Sequence, residues 1–487
     1  MSNARFTRRD ALKLGAVAAA AAGTSSLLSK GARAQSAADR RWLFVVCAAG
    51  GASIVDSFLP VPASQGNGGA AFEDSLLSQP GGSNLRCVNV LDNSIEGVIA
   101  LGNSYAQSTF LSKHKDDVAV MTHTGTSVNH LVAAKRALTG NNFNRGRTLQ
   151  EAMSERYGGG LILPNCNMSG GGYLENGDDA SVPDYARAEP VADPRLFPFA
   201  THGSRGVEGA PSSQLLERAR RVRGELEDAS GFMRTFRRSS LLERYRSRRD
   251  RLVPSLEQSD LITKLMTLQD RPGETPLSDY GLETSPEGQQ LLEKFPKLLD
   301  DPYEAQGALA FLLARYDVAC SITLAPGNSP VFETTERIIN APIAFDWSHR
   351  DHRGGQNAMW SRVLSVVDGL IDLLKATDVD GDPDNGKMWD KSLIYIATEF
   401  GRDKVASGGS GHHLNNGSVL ISPLLRGNRV YGGVDPNTCL TYGFDPQTGE
   451  AQPGTEMTEP HLYSAVAHAL GIEFEGRIDM PCMVRGA

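Results

Sequence analysis

Trp42-Leu43-Phe44-Val45-Val46-Cys47 is an unbroken apolar run that ends in Ala48-Ala49-Gly50-Gly51. Such a run reads as a strand buried on both faces, broken by a glycine turn. Val118–Met121, Ser321–Leu324 and Leu393–Ala397 continue the series. Segments of helical spacing stand among them, notably 129–138 and the amphipathic stretch Met359–Lys375. Strands that alternate with helices predict an α/β chain whose mostly parallel sheet is covered on both faces. The order of elements favours one large domain from residue 41 to 487 over two separate domains.

The chain opens on an address. Thr7-Arg8-Arg9-Asp10-Ala11-Leu12-Lys13 precedes the alanine-rich run Leu14–Gly23, and Ala32-Arg33-Ala34 offers a cleavage site before Gln35. Paired arginines before a mildly apolar segment read as a twin-arginine signal over residues 1–34. The expected partner is the twin-arginine (Tat) export machinery, and the expected location is the periplasm or the exterior. The apolar core is too short to anchor a helix, which needs about 20 apolar residues, so no stable membrane anchor is expected after cleavage. The route carries folded cargo, which allows a metal to be inserted before export. Removing the signal takes away more basic than acidic residues, leaving the rest more acidic than the formal net charge of −8. A clearly acidic protein is a poor nucleic-acid binder. The six cysteines are scattered without a C-x-x-C pair, which removes zinc-ribbon and thioredoxin-like readings. Disulfides are permitted outside the cytoplasm, although Cys47 and Cys320 lie in apolar, strand-like runs that suit buried thiols.

Two regions interrupt the strand and helix alternation. Residues 158–209 are rich in Gly, Asn, Asp and Pro and read as long surface loops. Residues 213–270 turn helical and arginine-rich, with acidic residues interleaved. This insertion reads as a solvated arm laced with ion pairs; a basic lid over an anionic substrate is the alternative. Residues 378–386 resemble a calcium loop at first sight, but the glycine is misplaced and no closing glutamate follows, so an acidic turn is expected.

Chemistry concentrates between Phe345 and Asn416. Three polar clusters, 345–352, 399–403 and 411–416, stand at the ends of apolar segments and hold four of the ten histidines. Side chains beyond the carboxyl ends of parallel strands converge on one crevice. Asp346, His349, Asp351 and His352 supply imidazole and carboxylate, the ligand set for zinc, manganese or iron, although such residues also cap helices. His412 and His413 point to the same crevice. Neighbours in an extended segment face opposite ways, so the two do not share one ion. Glu399 beside Arg402 reads as an ion pair that fixes a loop. Before the helix at 129–138, Thr126 and Ser127 are candidate nucleophiles assisted by the helix amino terminus, or alternatively caps.

Taken together, the twin-arginine signal, Val45–Gly51, Asn129-His130 through Leu138-Thr139-Gly140, Phe345-Asp346, Thr398-Glu399-Phe400-Gly401-Arg402 and Val430-Tyr431-Gly432-Gly433 resemble an exported family, domain of unknown function 1501. That family belongs to the alkaline phosphatase and sulfatase superfamily. The resemblance spans nearly the whole chain after the signal. It implies a three-layer α/β/α sandwich of the alkaline phosphatase-like kind and a hydrolase site holding one or two divalent ions, which would neutralise an anionic small-molecule or polymer substrate. Asp346, His130, His413 and the Glu399/Arg402 pair match the family pattern. Departures stand beside them: Ser53 in place of an aspartate, with Asp56 three positions on; Asn129 where serine precedes the histidine; and His412 in place of aspartate. No Cys-x-Pro-x-Arg sulfatase signature is present. The expected metal ligands are therefore drawn from Asp346, His349, His352, His412, His413, His130 and Asp56, with Thr126, Ser127, Asn129 and Arg402 around the reaction. The alternative expectation is a scaffold of the same superfamily that has lost catalysis and acts in binding or assembly in the cell envelope.

Overall fold

Eight strands build the central sheet: β1 (Trp42–Ala48), β2 (Val118–Thr124), β3 (Asn165–Asn167), β4 (Glu189–Pro190), β5 (Ser321–Leu324), β6 (Ser392–Thr398), β7 (Asn415–Ile421) and β8 (Arg429–Tyr431). Their order is β8-β2-β7-β6-β1-β5-β3-β4. β1 lies between β6 and β5, parallel to both and in unbroken register with β6 from Trp42 opposite Ser392 to Ala48 opposite Thr398. β7 alone runs against its neighbours β6 and β2. The sheet is thus mostly parallel. This computed structural model describes residues 39–89, 105–198, 211–252, 285–325 and 344–486, with 256, 261, 265, 282–283, 331–332 and 338–339. The proposed export signal lies outside them.

Every residue of β1, β6 and β7 is buried. Successive side chains of a strand face opposite ways, so the sheet is covered on both faces. The covering helices fall into two packed sets. Helices α1 (His130–Thr139), α2 (Leu149–Tyr157) and α5 (Glu459–Ala469) pack on one another, whereas α3 (Pro302–Arg315) packs on α4 (His352–Ala376). Leu43, Phe44, Val45 and Val46 are fully enclosed. Truncating a side chain such as Phe44 there costs about 3–5 kcal/mol.

Local chemistry sets the helix ends. The Asn129 side chain accepts from the Val132 amide and starts α1, which Gly140 ends in the left-handed region at φ 60°. Asp351 starts α4 by accepting from the Gly354 amide at 3.0 Å. Such caps are each worth about 1 kcal/mol.

The segment 158–209 is not wholly loop. β3 and β4 extend the sheet from within it, because Asn165–Asn167 pairs along β5 although its own composition is polar. The arginine-rich arm forms helices Ser213–Ala229, Gly231–Thr235 and Ser240–Ser247. Ion pairs run through it, including Arg246 with Asp228 at 2.5 Å and Arg248 with Glu189 at 2.9 Å. The acidic turn at 378–386 is pinned by Lys387 on Asp378 at 2.6 Å. All six cysteines are buried free thiols. Among the described residues no helix is long and apolar enough to cross a membrane.

Candidate metal centre

The carboxyl edge of the sheet gathers the polar clusters. β1 ends there in the turn Gly50-Gly51, β2 ends in 125–129, and β6 ends in Glu399 to Arg402. Because β7 runs the other way, it begins at this same edge, behind a short ladder that pairs Gly401 with His413 and Arg402 with His412. The 344–351 turn closes over the glycines, with the Phe345 amide donating to the Ala49 carbonyl at 2.9 Å. Gly50 adopts φ +92°, and a Cβ on it would meet the Asp346 nitrogen at 2.3 Å. Only glycine permits that approach.

This packing brings together His130, Asp346 and His412, whose ligand atoms all lie within 4.8 Å of one another. Nε2 of His130 and Nε2 of His412 each stand 3.7 Å from Asp346 Oδ1. His349 Nε2 stands 3.2 Å from the same oxygen and 2.9 Å from His412 Nε2. Phe400 stacks on the His412 ring at 4.1 Å between centroids and meets the His130 ring edge-on. The group is partly open, with His349 at its mouth.

The far side of each ring decides what the near side offers. His130 Nδ1 lies 2.6 Å from Glu399 Oε2, and His412 Nδ1 lies 2.9 Å from the Val128 carbonyl. A carboxylate and a carbonyl can only accept, so each Nδ1 carries the proton. When neutral, each ring therefore turns an Nε2 lone pair toward the Asp346 carboxylate, and that of His412 also lies within hydrogen-bond distance of His349 Nε2, at 2.9 Å. Two lone pairs and an anion facing one another call for a cation, and an imidazole oriented by a carboxylate or carbonyl behind it is the usual support of a metal ligand.

Two groups supply positive charge at this point. Arg402, fully enclosed, donates to Asp346 Oδ1 at 2.7 Å and to the Gly50 carbonyl; burial lowers the pKa of its guanidinium, against the pull of Asp346. His130 is the second. Its pKa is raised, first by the hydrogen bond to Glu399 and then by the charges of Glu399 and Asp346, against burial and Arg402. Burial, chiefly, lowers that of His412. A proton on His130 Nε2 is thus the direct competitor of a bound cation.

Buried amides hold the frame. Gln356 accepts from the Ser53 amide at 2.8 Å and donates to the Gly51 carbonyl at 3.0 Å. Asn416 accepts from the Ile54 amide and donates to the carbonyls of Ala52 and Phe400. Glu399 also accepts from the Gly50 amide at 2.9 Å.

Other expected site residues go elsewhere. His352 is fully buried, with Nε2 on Asp56 Oδ2 and Nδ1 on Ser410 Oγ, both at 2.9 Å. Ser53 donates to the same Asp56 oxygen at 2.6 Å. Burial raises the Asp56 pKa, but the charge and hydrogen bond of His352, with Ser53 and Arg353, bring it below its ordinary value. His352 and Asp56 thus form a buried pair that ties the 345–352 turn to the turn after β1, while Asp56 Oδ1 has no hydrogen-bond partner among the described residues and lies 3.8 Å from Arg353 Nε. His413, facing away from His412, accepts from the Asn415 amide at 3.1 Å; of the two adjacent histidines, His412 joins the group. Thr126 donates to Glu459 Oε1 at 2.8 Å and accepts from Arg136 at 2.9 Å. Ser127 accepts from the Asn129 amide at 3.2 Å, and Asn129 caps α1. These three hold the backbone into α1.

Glu399 does not pair with Arg402: it takes His130, and Arg402 takes Asp346. Sequence reasoning overlooked the Val128 carbonyl and Glu459. Neither leaves a trace in local pattern, because each acts across the sheet edge. Comparisons of the chain with protein-family models, with curated proteins and with solved structures each find no match.

Proposed function

We propose that this protein is an exported, metal-dependent hydrolase of phosphate or sulfate esters, of the alkaline phosphatase and sulfatase superfamily and akin to domain of unknown function 1501. The observation that carries the reading is the convergence of His130 Nε2 and His412 Nε2 on the Asp346 carboxylate, each ring held from behind by Glu399 or the Val128 carbonyl. Two imidazoles and a carboxylate suit zinc, manganese or iron and leave a coordination position open. Bound there, a divalent ion would neutralise the anionic ester and lower the pKa of an attacking water. Glu399 and the Val128 carbonyl orient the two imidazoles. His349, the most exposed of the group at 45% of its side chain, is placed to hand a proton to a leaving group. The hydroxyls of Thr126 and Ser127 are engaged in hydrogen bonds at the start of α1, so water is the nucleophile in this reading. In this reading the signal over residues 1–34 directs export in the folded state by the twin-arginine machinery, a route that allows the metal to be inserted beforehand.

A second reading has one observation in its favour. The candidate nucleophiles Thr126 and Ser127, and Asn129 beside them, all serve as local hydrogen-bond partners. That arrangement suits a cell-envelope scaffold that keeps the site as a structural metal centre. Elemental analysis of protein purified from its host, followed by assays on aryl phosphate and aryl sulfate esters, separates the readings. The hydrolase reading expects about one equivalent of metal, a lower melting temperature in chelator, and turnover. Metal without turnover favours the scaffold. Metal-free protein whose melting ignores chelator sinks the hydrolase and the structural metal centre, and leaves only a scaffold without metal.

A further inference from the structure

The arm at 211–252 differs in character from the rest of the chain. It carries twelve arginines, no lysine and six carboxylates, in a protein of formal net charge −8. It also leaves large apolar side chains in solvent. In the helix Ser213–Ala229, Leu215, Ala219, Val222 and Leu226 recur at spacings of four and three, so they form one stripe. Leu215 and Leu226 are 55% and 68% exposed, and Phe232 and Leu241 in the next two helices are 66% and 71% exposed. The Phe232 and Phe236 rings lie together at 4.8 Å. At 3.6 residues per turn, Arg218 and Arg223 fall on the two flanks of the stripe, roughly 60–80° from its centre, with Glu225 and Glu227 further round at about 90–110° and Arg220, Arg221, Glu217 and Asp228 behind.

We propose that this arm seats the protein on an anionic phospholipid surface. An apolar stripe with arginines nearest it on both flanks and a charged face behind is the pattern of a helix lying in a bilayer interface. The apolar side chains enter the acyl boundary, and the flanking arginine stems reach back to lipid phosphates. A second copy paired along the stripe would cover Leu215 to Leu226 but leave Phe232 and Leu241 in water. An acidic polymer would engage the arginines and leave the stripe exposed. A lipid surface takes both at once. Arg223 Nε lies 3.8 Å from Glu227 Oε1, a long, half-exposed pair that a lipid phosphate would replace, whereas Arg246, Arg248 and Arg249 are tied more closely to Asp228, Glu189, Glu227 and Asp250 and hold the arm's shape. The attachment is peripheral and separate from the proposed hydrolase chemistry.

The chain from Gln35 onward forms one compact unit, which allows a test free of the amino-terminal apolar run. Co-sedimentation with mixed phosphatidylglycerol and phosphatidylcholine vesicles is expected to pull it down, with binding about tenfold weaker on phosphatidylcholine alone or at high salt. The double variant Leu226→Asp with Phe232→Asp is expected to lose about tenfold or more in binding while keeping its circular dichroism and melting temperature, since both side chains stand in solvent. No binding to the anionic vesicles overturns the proposal, as does equal binding by the double variant. A dimer in sedimentation equilibrium that Leu226→Asp dissolves also overturns it, and assigns the stripe to a second copy.

Discussion

Among the described residues, two groups of three imidazole and carboxylate side chains have all their ligand atoms within 4.8 Å, and distance alone does not separate them. One is His130, Asp346 and His412; the other is His114, Asp368 and Asp372. Both hold fixed cations: Arg402 donates to Asp346 in the first at 2.7 Å, and lysines line the second. Lys113 reaches Asp368 at 2.6 Å and Asp372 at 2.8 Å, and Lys294 reaches Asp372 at 3.3 Å. His114 Nε2 lies on Asp368 Oδ1 at 2.7 Å, and its Nδ1 faces Lys375 at 3.4 Å. That ring gives its proton to the carboxylate and its lone pair to a lysine. In the first cluster the protons point outward, to Glu399 and Val128, and the lone pairs point inward. The direction of the imidazole proton, more than proximity, distinguishes a candidate metal site from an ion-pair cluster.

The largest expected effect breaks the comparison outright. His412→Ala removes one of two inward lone pairs and should lower affinity for zinc by about a thousandfold, whereas His114→Ala should leave metal content unchanged. Equilibrium dialysis with elemental analysis of both variants checks this. Equal metal retention by the two would show that proton direction does not mark the site. Next in size is Glu399→Gln, which keeps shape but offers His130 an amide that can donate as well as accept. The imidazole tautomer is then no longer fixed, and metal affinity should fall about 10–100-fold, as for other groups behind a ligand. Titration against a fluorescent chelator measures it. An unchanged affinity would mean that Glu399 serves only the Gly50 turn.

These contrasts also show what the sequence could and could not reveal. The strands were legible because burial on both faces demands continuous apolar residues, and the crevice was legible because polar clusters stand where those strands end. Asp346 and His412 were within reach of that reasoning, whereas His130 entered as a ligand only through the family resemblance. The choice between His412 and His413 was not, because alternation along the extended segment sets them on opposite sides without saying which side is the crevice. The partnership of His352 with Asp56 was likewise hidden. It joins residues 296 positions apart, and only the packing of α4 against the turn after β1 sets them face to face. Glu399 and Arg402, adjacent in a motif, invited pairing, yet a short strand at Gly401–Arg402 turns the arginine toward Asp346. Local pattern names the residues of a site; register and turn geometry assign their partners.

The lysine-filled cluster makes its own prediction about acid. Burial raises the Asp368 pKa, but hydrogen bonds from His114 and Lys113 outweigh it and bring it to about 2. A carboxylate whose folded pKa lies below its unfolded value near 3.9 adds stability above that value and loses it as pH falls toward the folded one. Unfolding free energy should therefore drop between about pH 4 and pH 2. Asp368→Asn should flatten that drop and cost roughly 1 kcal/mol at neutral pH, a figure kept small because Lys113 is solvent-exposed. Urea unfolding across the acid range decides it. An unaltered slope in the variant would place the acid sensitivity in other carboxylates.

The smallest expected effect is the most informative about chemistry. Ser127 Oγ does no more than accept from the Asn129 amide at 3.2 Å, next to a cap that already holds the start of α1. Ser127→Ala should change stability by less than about 0.5 kcal/mol, and metal content should stay the same. If water is the nucleophile, the rate of ester hydrolysis should also stay within about twofold, because no bond to Ser127 forms or breaks. A loss of hydrolysis by two or more orders of magnitude with full metal content would instead make Ser127 the attacking group. The hydrogen bond to Asn129 would then be the resting state of a nucleophile. The cation site would still be required, since the alkoxide of serine needs charge beside it at neutral pH.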